Sequence, residues 1–304
     1  MIDTIILTHN PQGKKEYDIF HKLINELGYK RKIIKKISEH ALIFIDTQKL
    51  YMQLKIFCIA DFISVTEIDN THYVEVYNKI ADTLQQYNLD IKLFNLTRID
   101  YKLDIHCTEQ EKQEYLQAFS KARNTYYNMQ KQIYKAENGN IQTVRWSGTS
   151  YNISIYDKPA ERKAKNKDVP LYLQDVMRIE LQMKNKAIKD YCREAVITRD
   201  LINFFHHQMR EYFFQKIIIE KFLYDGDYYN LKNIRKILDK STINAKIIKL
   251  LKEIHKKDIT EALETISKPT FNKYLRELQK QNINPVMLQS LENLKGISSI
   301  LKDF

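Results

Sequence analysis

The sequence predicts an α+β fold, in which a mainly antiparallel sheet or sheets with flanking helices form the first domain and an all-helical C-terminal region follows. Three observations carry that reading. Alternating segments rich in Ile, Val, Tyr and Phe are confined to roughly the first 185 residues. Segments with apolar residues at helical spacing lie between them, and after that point helical spacing is the only pattern left.

The expected elements run in order. A strand at Asp3 to Thr8 precedes a helix at Lys14 to Gly28; strands follow at Ala41 to Thr47, Tyr51 to Ala60 and His72 to Tyr77. A helix at Asn78 to Tyr87, a strand at Leu93 to Ile105 and a helix at Glu109 to Ala122 come next, then strands at Gln142 to Trp146, Tyr151 to Asp157 and Val176 to Lys184. From Thr198 to Leu223, residues such as Leu201, Phe204, Phe205, Met209, Phe213 and Ile217 recur at i, i+3, i+4 spacing, which predicts one long amphipathic helix. Asp225-Gly226-Asp227 breaks it and suggests a boundary between a domain at 1–225 and a basic helical domain at 226–304.

In that tail, nine Lys or Arg face two acids between Lys232 and Lys257. Asp258 to Thr265 and Pro269 to Lys280 read as two short helices, with Ser267 as N-cap and Pro269 in the first turn. They match either a helix-turn-helix presenting Asn272, Lys273, Arg276 and Lys280 to DNA, or an ordinary helical hairpin whose lysines are solvated.

Composition narrows the class. With 304 residues, 43% hydrophobic, 6 Gly and 5 Pro, the chain is globular and long enough for a large core or two domains. A net charge of +11 favours a polyanionic partner. Cys58, Cys107 and Cys192 form no C-x-x-C, so neither a disulfide framework nor a thiolate zinc site is indicated, and a reducing cytoplasm is the expected setting. No stretch approaches about 18 uncharged apolar residues, and the N-terminus lacks the basic start of a secretion signal, so no membrane association is expected.

The chemistry concentrates on polar strand faces. Ile153 and Ile155 point one way and Ser154 and Tyr156 the other, because successive strand side chains alternate. Glu75 between two valines, Arg98 and Asp100 opposite Ile99 and Tyr101, and Arg178 and Glu180 opposite Ile179 and Leu181 share that arrangement. If these faces align, Glu75, Asp100 and Glu180 converge near Tyr156, with Arg98 and Arg178 around them. Carboxylates hold Mg²⁺ or Mn²⁺, and such an ion polarises a phosphate and stabilises developing charge. A phenol needs a cation or base beside it to attack at neutral pH, and Lys158 or the metal supplies that, with Glu161 as base or further ligand. The opposing reading is that alternating charge is simply the wet face of a sheet. His207-Gln208-Met209-Arg210, with Tyr224, Tyr228 and Tyr229 downstream, matches the short His-x-x-Arg pattern of tyrosine recombinases, but the strand-rich first half fits that class badly. A sequence-specific binder without catalysis, a repressor or copy-control protein, is the remaining alternative.

These segments carry a resemblance. Met1-Ile2-Asp3, Tyr73-Val74-Glu75-Val76, Leu96-Thr97-Arg98-Ile99-Asp100, Ile153 to Lys158 with Glu161-Arg162-Lys163, and Arg178-Ile179-Glu180-Leu181 resemble, in order, rolling-circle replication initiators of the filamentous-phage gene II type and the plasmid replication-initiation-factor family. The likeness runs to about residue 195. It implies that Tyr156 nicks DNA, forming a 5′-phosphotyrosine and freeing a 3′-hydroxyl primer, and that Glu75 and Asp100 hold metal; Arg98, Arg178, Arg162 and Lys163 are the residues of this region expected at DNA. The implied partner is origin DNA, double-stranded with a locally single-stranded nick site; a host helicase, a polymerase and a second copy of the chain are further candidates.

Overall fold

The computed structural model describes residues 2–64, 72–123, 125–126, 129–238 and 242–302, and the side chains of 125, 126, 207, 242 and 243 lie outside that description. Along the chain run β1 (Ile2–His9), α1 (Lys14–Leu27), β2 (Lys32–Lys36), β3 (Ala41–Asp46), β4 (Tyr51–Ile56), α2 (Ile59–Phe62), α3 (His72–Gln85), β5 (Asn95–His106) and α4 (Glu109–Ser120). Next come β6 (Thr125–Tyr126), β7 (Met129–Lys135), β8 (Ile141–Ser147), β9 (Tyr151–Asp157), α5 (Lys158–Ala164), β10 (Val176–Lys184), α6 (Asn185–Ala195) and α7 (His207–Phe213). A π-helical stretch at Phe214–Leu223 leads to β11 (Tyr228–Tyr229), α8 (Leu231–Ile237), α9 (Thr242–Lys256), α10 (Ile259–Leu263), α11 (Lys268–Lys280), β12 (Asn293–Leu294) and α12 (Ile297–Lys302). The fold is α+β with antiparallel pairing, and its C-terminal region is helical apart from the two-residue ribbon of β11 and β12.

Two compact units form, residues 1–102 with 182–210 and residues 103–181 with 211–304. This partition differs from the boundary expected at residue 225.

In the first unit the strand order is β2-β3-β4-β1-β5. Ile5 sits opposite Ile56 on one side and Ile99 on the other, and Ile43 opposite Leu54, all fully buried. β2 went unread in the sequence because only Ile33 of Lys-Ile-Ile-Lys-Lys is buried. Its lysines suit an edge, where charge discourages further strand pairing. β4 ends at Ile56, short of the expected Ala60, because the chain turns at Cys58 into α2.

The strand expected at His72 to Tyr77 is helix instead. α3 starts at His72, and Val76, Ile80 and Leu84 are each fully buried at fourfold spacing, whereas Val74 is 67% exposed. The alternation over six residues was a shorter pattern than the helical stripe that absorbed it. The long helix expected from Thr198 also divides. A 3₁₀ turn at Leu201–Asn203 precedes α7, because β5 recruits this backbone: Leu96 N–H donates to Arg199 C=O at 2.8 Å, and the buried Tyr101 hydroxyl donates to Phe204 C=O at 2.8 Å. The π-helical stretch then buries Ile217, Ile218 and Ile219 consecutively, more than one α-helical stripe covers.

In the second unit β10-β9-β8-β7-β6 follow one another beside the end of β5. Val144, Trp146, Ile153 and Ile155 fill the apolar face with no exposure, and α4 packs on β8, started by a capping box of Thr108 and Glu111. The tail builds its own cluster from Ile234, Leu238, Ile247, Leu251, Leu278, Ile283 and Met287. Gly226 adopts φ +109°, and a Cβ there would come within 2.7 Å of the Ile283 carbonyl carbon, so this break requires glycine on both counts.

Glu114 of α4, 5% exposed, ties the tail down by accepting from the Ser290 hydroxyl and from the backbone N–H groups of Gln289 and Ser290 at 2.8 and 2.6 Å. Burial alone would raise its carboxyl, but these donors outweigh it and hold the group below its ordinary range. That stabilisation is therefore present above the ordinary Glu range and is lost as pH falls through the lower folded value. Glu114→Ala should cost about 3 kcal/mol in urea unfolding at neutral pH and flatten this part of the acid dependence.

Candidate active site

Tyr156 sits on the penultimate residue of β9, opposite Thr143 of β8. Its ring is 7% exposed, on the polar face as alternation requires, and its hydroxyl donates to Glu180 Oε1 at 2.6 Å. Arg178, two residues before Glu180, is 6% exposed and grips Asp104 in a fork, Nε to Oδ1 at 2.6 Å and Nη2 to Oδ2 at 2.8 Å. Its Nη1 lies 4.0 Å from Glu180 Oε1. A fixed, buried guanidinium thus stands beside the carboxylate that receives the phenol's hydrogen bond. Burial, then the Glu180 carboxylate, push the phenol far above its ordinary range, while Arg178 pulls the other way.

The turn after β9 is built to aim α5. Asp157 caps it, Oδ1 accepting from Ala160 N–H at 3.1 Å, while Oδ2 meets the buried Lys112 ammonium at 3.3 Å. Pro159 occupies the first turn without loss of a hydrogen bond. Lys158 Nζ is thereby held 5.5 Å from the Tyr156 ring centre and 2.9 Å from Glu161 Oε2. Glu161 also pairs with Lys165. Burial would raise its carboxyl, but hydrogen bonds from Lys165 and Lys158 outweigh this and hold it low. Arg162, half-buried, donates to the Asp168 carbonyl, and Lys163 is exposed beside it.

The second unit therefore brings together Tyr156, Glu180, Arg178, Lys158 and Glu161 of the residues singled out in sequence. It adds Asp104, a member of the polar face of β5 whose alternation with Asp100 was the available signal. Arg178, expected at DNA, is instead a buried partner of Asp104. Glu75 lies exposed on α3 of the first unit. Asp100, also in the first unit, is 7% exposed and accepts from Arg98 Nε at 2.9 Å and Gln182 Nε2 at 3.4 Å. Burial raises its carboxyl, and Arg98 opposes this.

Arg98 also lines a recess of about 520 Å³ in the first unit, with Lys184, Lys189 and Arg199 as further cations and Gln53 and Gln182 among the uncharged donors. Residues from four strands and α6 make it, so no local motif announces it. In the tail, Asn272, Lys273 and Arg276 are exposed on α11, whose Ser267 cap accepts from Thr270 N–H as expected. Of the tyrosines after the His-x-x-Arg pattern, Tyr228 is 1% exposed against Tyr115 and Phe119, and the Tyr224 hydroxyl accepts from Arg123 at 2.8 Å. The His207 side chain lies outside the described residues.

Residues 65–206 match the family model for the N-terminal part of the phage gene II replication-associated protein. The chain is similar to rolling-circle replication initiators of the gene II type. Every segment that carried this likeness in the sequence, except the N-terminal Met1-Ile2-Asp3, falls inside the matched span. Among solved structures, the rolling circle replication initiator protein from Geobacillus stearothermophilus is similar at 10% identity and a TM-score of 0.38, over 85% of this chain and 97% of that one. No curated protein matches the chain. Among the described residues no helix is long and apolar enough to cross a membrane.

Proposed function

We propose that this initiator-like chain nicks origin DNA with Tyr156 as nucleophile. The observation that supports it most is the 2.6 Å hydrogen bond from the Tyr156 hydroxyl to Glu180, next to the buried Arg178, inside the matched span. In this reading Tyr156 Oη attacks the scissile phosphorus as its proton passes to Glu180 Oε1. The new Oη–P bond replaces the P–O3′ bond, and the 3′ oxygen leaves as a hydroxyl after taking a proton from solvent. Arg178 keeps Glu180 oriented, and Lys158 offsets charge beside the ring.

A divalent cation suits this setting. The donors are carboxylate oxygens, the ligand type that Mg²⁺ and Mn²⁺ prefer, and both Glu180 and Glu161 press negative charge on the phenol. Glu180 and, once released by Lys158 and Lys165, Glu161 would hold the ion, which would polarise the phosphate. Glu75 and Asp100 are carried as ligands by the resemblance, and Arg98 would have to release Asp100 for that role.

The recess of the first unit supplies a cationic, hydrogen-bonding surface for a DNA strand, while α11 and the exposed lysines of α8 and α9 supply a second basic surface for origin DNA. The double variant Lys189→Ala/Arg199→Ala should weaken single-strand binding and lower the slope of log affinity against log salt by about 1.4, roughly 0.7 for each cation removed. An unchanged slope argues against phosphate contacts there. A cytoplasmic setting follows from this role.

The deciding experiment incubates the full chain with supercoiled DNA of the replicon that encodes it, with Mg²⁺ and with chelator. Open circles and a covalent adduct mapped to the Tyr156 peptide are expected with Mg²⁺ alone. An adduct on another tyrosine, or binding without any nick, overturns the proposal, the latter in favour of a non-catalytic regulator.

A further inference from the structure

His40 meets Cys58 and Asp61 in the first unit where β3, β4 and α2 join. Ala41 pairs with Ile56, and the ladder continues one step as Phe57 N–H donates to His40 C=O at 2.8 Å. His40 is thereby fixed next to the chain immediately before Cys58. Cys58 then takes φ 51°, a left-handed conformation unfavourable for a residue with a side chain and retained only where its surroundings impose it. That turn starts α2, with Phe62 N–H on Cys58 C=O at 3.0 Å, and returns Asp61 toward His40. One ligand atom each from His40, Cys58 and Asp61 lies within 4.8 Å of the others, and His40 Nδ1 stands 4.0 Å from Asp61 Oδ2. Cys58 and Asp61 are exposed and His40 half-buried, so an ion has access from solvent.

We propose that His40, Cys58 and Asp61 bind one Zn²⁺, with the fourth position open to water. An imidazole, a thiolate and a carboxylate are the ligand types zinc takes, and three protein ligands leave the open position typical of non-structural sites. Hard ions such as Mg²⁺ prefer all-oxygen sets, which separates this site chemically from the carboxylates beside Tyr156. Zinc bond lengths place tetrahedral neighbours about 3.5 Å apart, so the side chains close by about 1 Å, a rotamer-scale movement. On binding, the Cys58 S–H proton goes to solvent and an S–Zn bond replaces it; nothing is oxidised or reduced. The sequence held no C-x-x-C to announce such a site, because a hairpin end and a short helix assemble it.

Co²⁺ is the spectroscopic probe. Added to the reduced full chain, it should give a near-ultraviolet thiolate-to-metal charge-transfer band that Zn²⁺ displaces. Cys58→Ser should abolish the band, and His40→Ala or Asp61→Asn should weaken Zn²⁺ binding by more than about tenfold. The band should survive in Tyr156→Phe and in Cys107→Ser/Cys192→Ser, whether or not the chain nicks DNA. No band, or a band that persists in Cys58→Ser, overturns the site. Should a variant fail to fold, the wild-type chain decides: Zn²⁺ is expected to slow alkylation of Cys58 by iodoacetamide, read on its peptide by mass spectrometry, and unchanged labelling overturns the proposal.

Discussion

Tyr156→Phe is expected to lower the rate of DNA nicking by about 10⁴-fold or more and to eliminate the covalent adduct, while DNA affinity stays within about twofold. The ring remains, with its burial and its contact with Lys158; only the hydroxyl that donates to Glu180 is lost. Loss of that one hydrogen bond should change stability by about 1 kcal/mol, too little to unfold the chain. The variant thus separates chemistry from binding. Nicking at the wild-type rate, or an adduct that persists, would mean that another tyrosine is the nucleophile.

Glu180→Gln is the second large effect. A glutamine fills the same space but takes no proton, so the nicking rate should fall by about 10²–10⁴-fold. Burial is the first cause of the raised Tyr156 phenol and the Glu180 carboxylate the second. Removing the carboxylate should therefore lower the phenol's pKa, although burial, the larger cause, keeps it above the ordinary tyrosine range. The sign follows for stability as well: a phenol raised on folding stabilises below its unfolded value and loses that stability as pH climbs through the folded one. Where only the unfolded phenol ionises, the Gln variant and the wild type should therefore lose stability with rising pH at the same slope. Full nicking activity in this variant would exclude Glu180 as the base.

How much of this was readable beforehand depends on how local the causes are. The face of Tyr156 was legible because strand alternation needs only its immediate neighbours, and Ile153 and Ile155 are fully buried on the other side as expected. The cap at Ser267 is equally local. Glu75 was misread because six residues of alternation also fit a helix whose stripe continues through Ile80 and Leu84. Arg178 was misplaced for a different reason. Its partner, Asp104, is 74 residues away, and no spacing rule distinguishes a guanidinium that faces DNA from one that grips a carboxylate beneath the surface.

By itself the sequence determined the α+β class, the basic helical tail, the strand that presents Tyr156 and the ordered segments it shares with gene II-type initiators. Those are properties of short periodicities, composition and motif order. Only the tertiary structure decided that Glu180 receives the phenol's hydrogen bond, that Arg178 is locked on Asp104, and that His40, Cys58 and Asp61 come together. Each of those pairings depends on strand register and turn geometry between distant segments, which residue spacing along the chain does not encode.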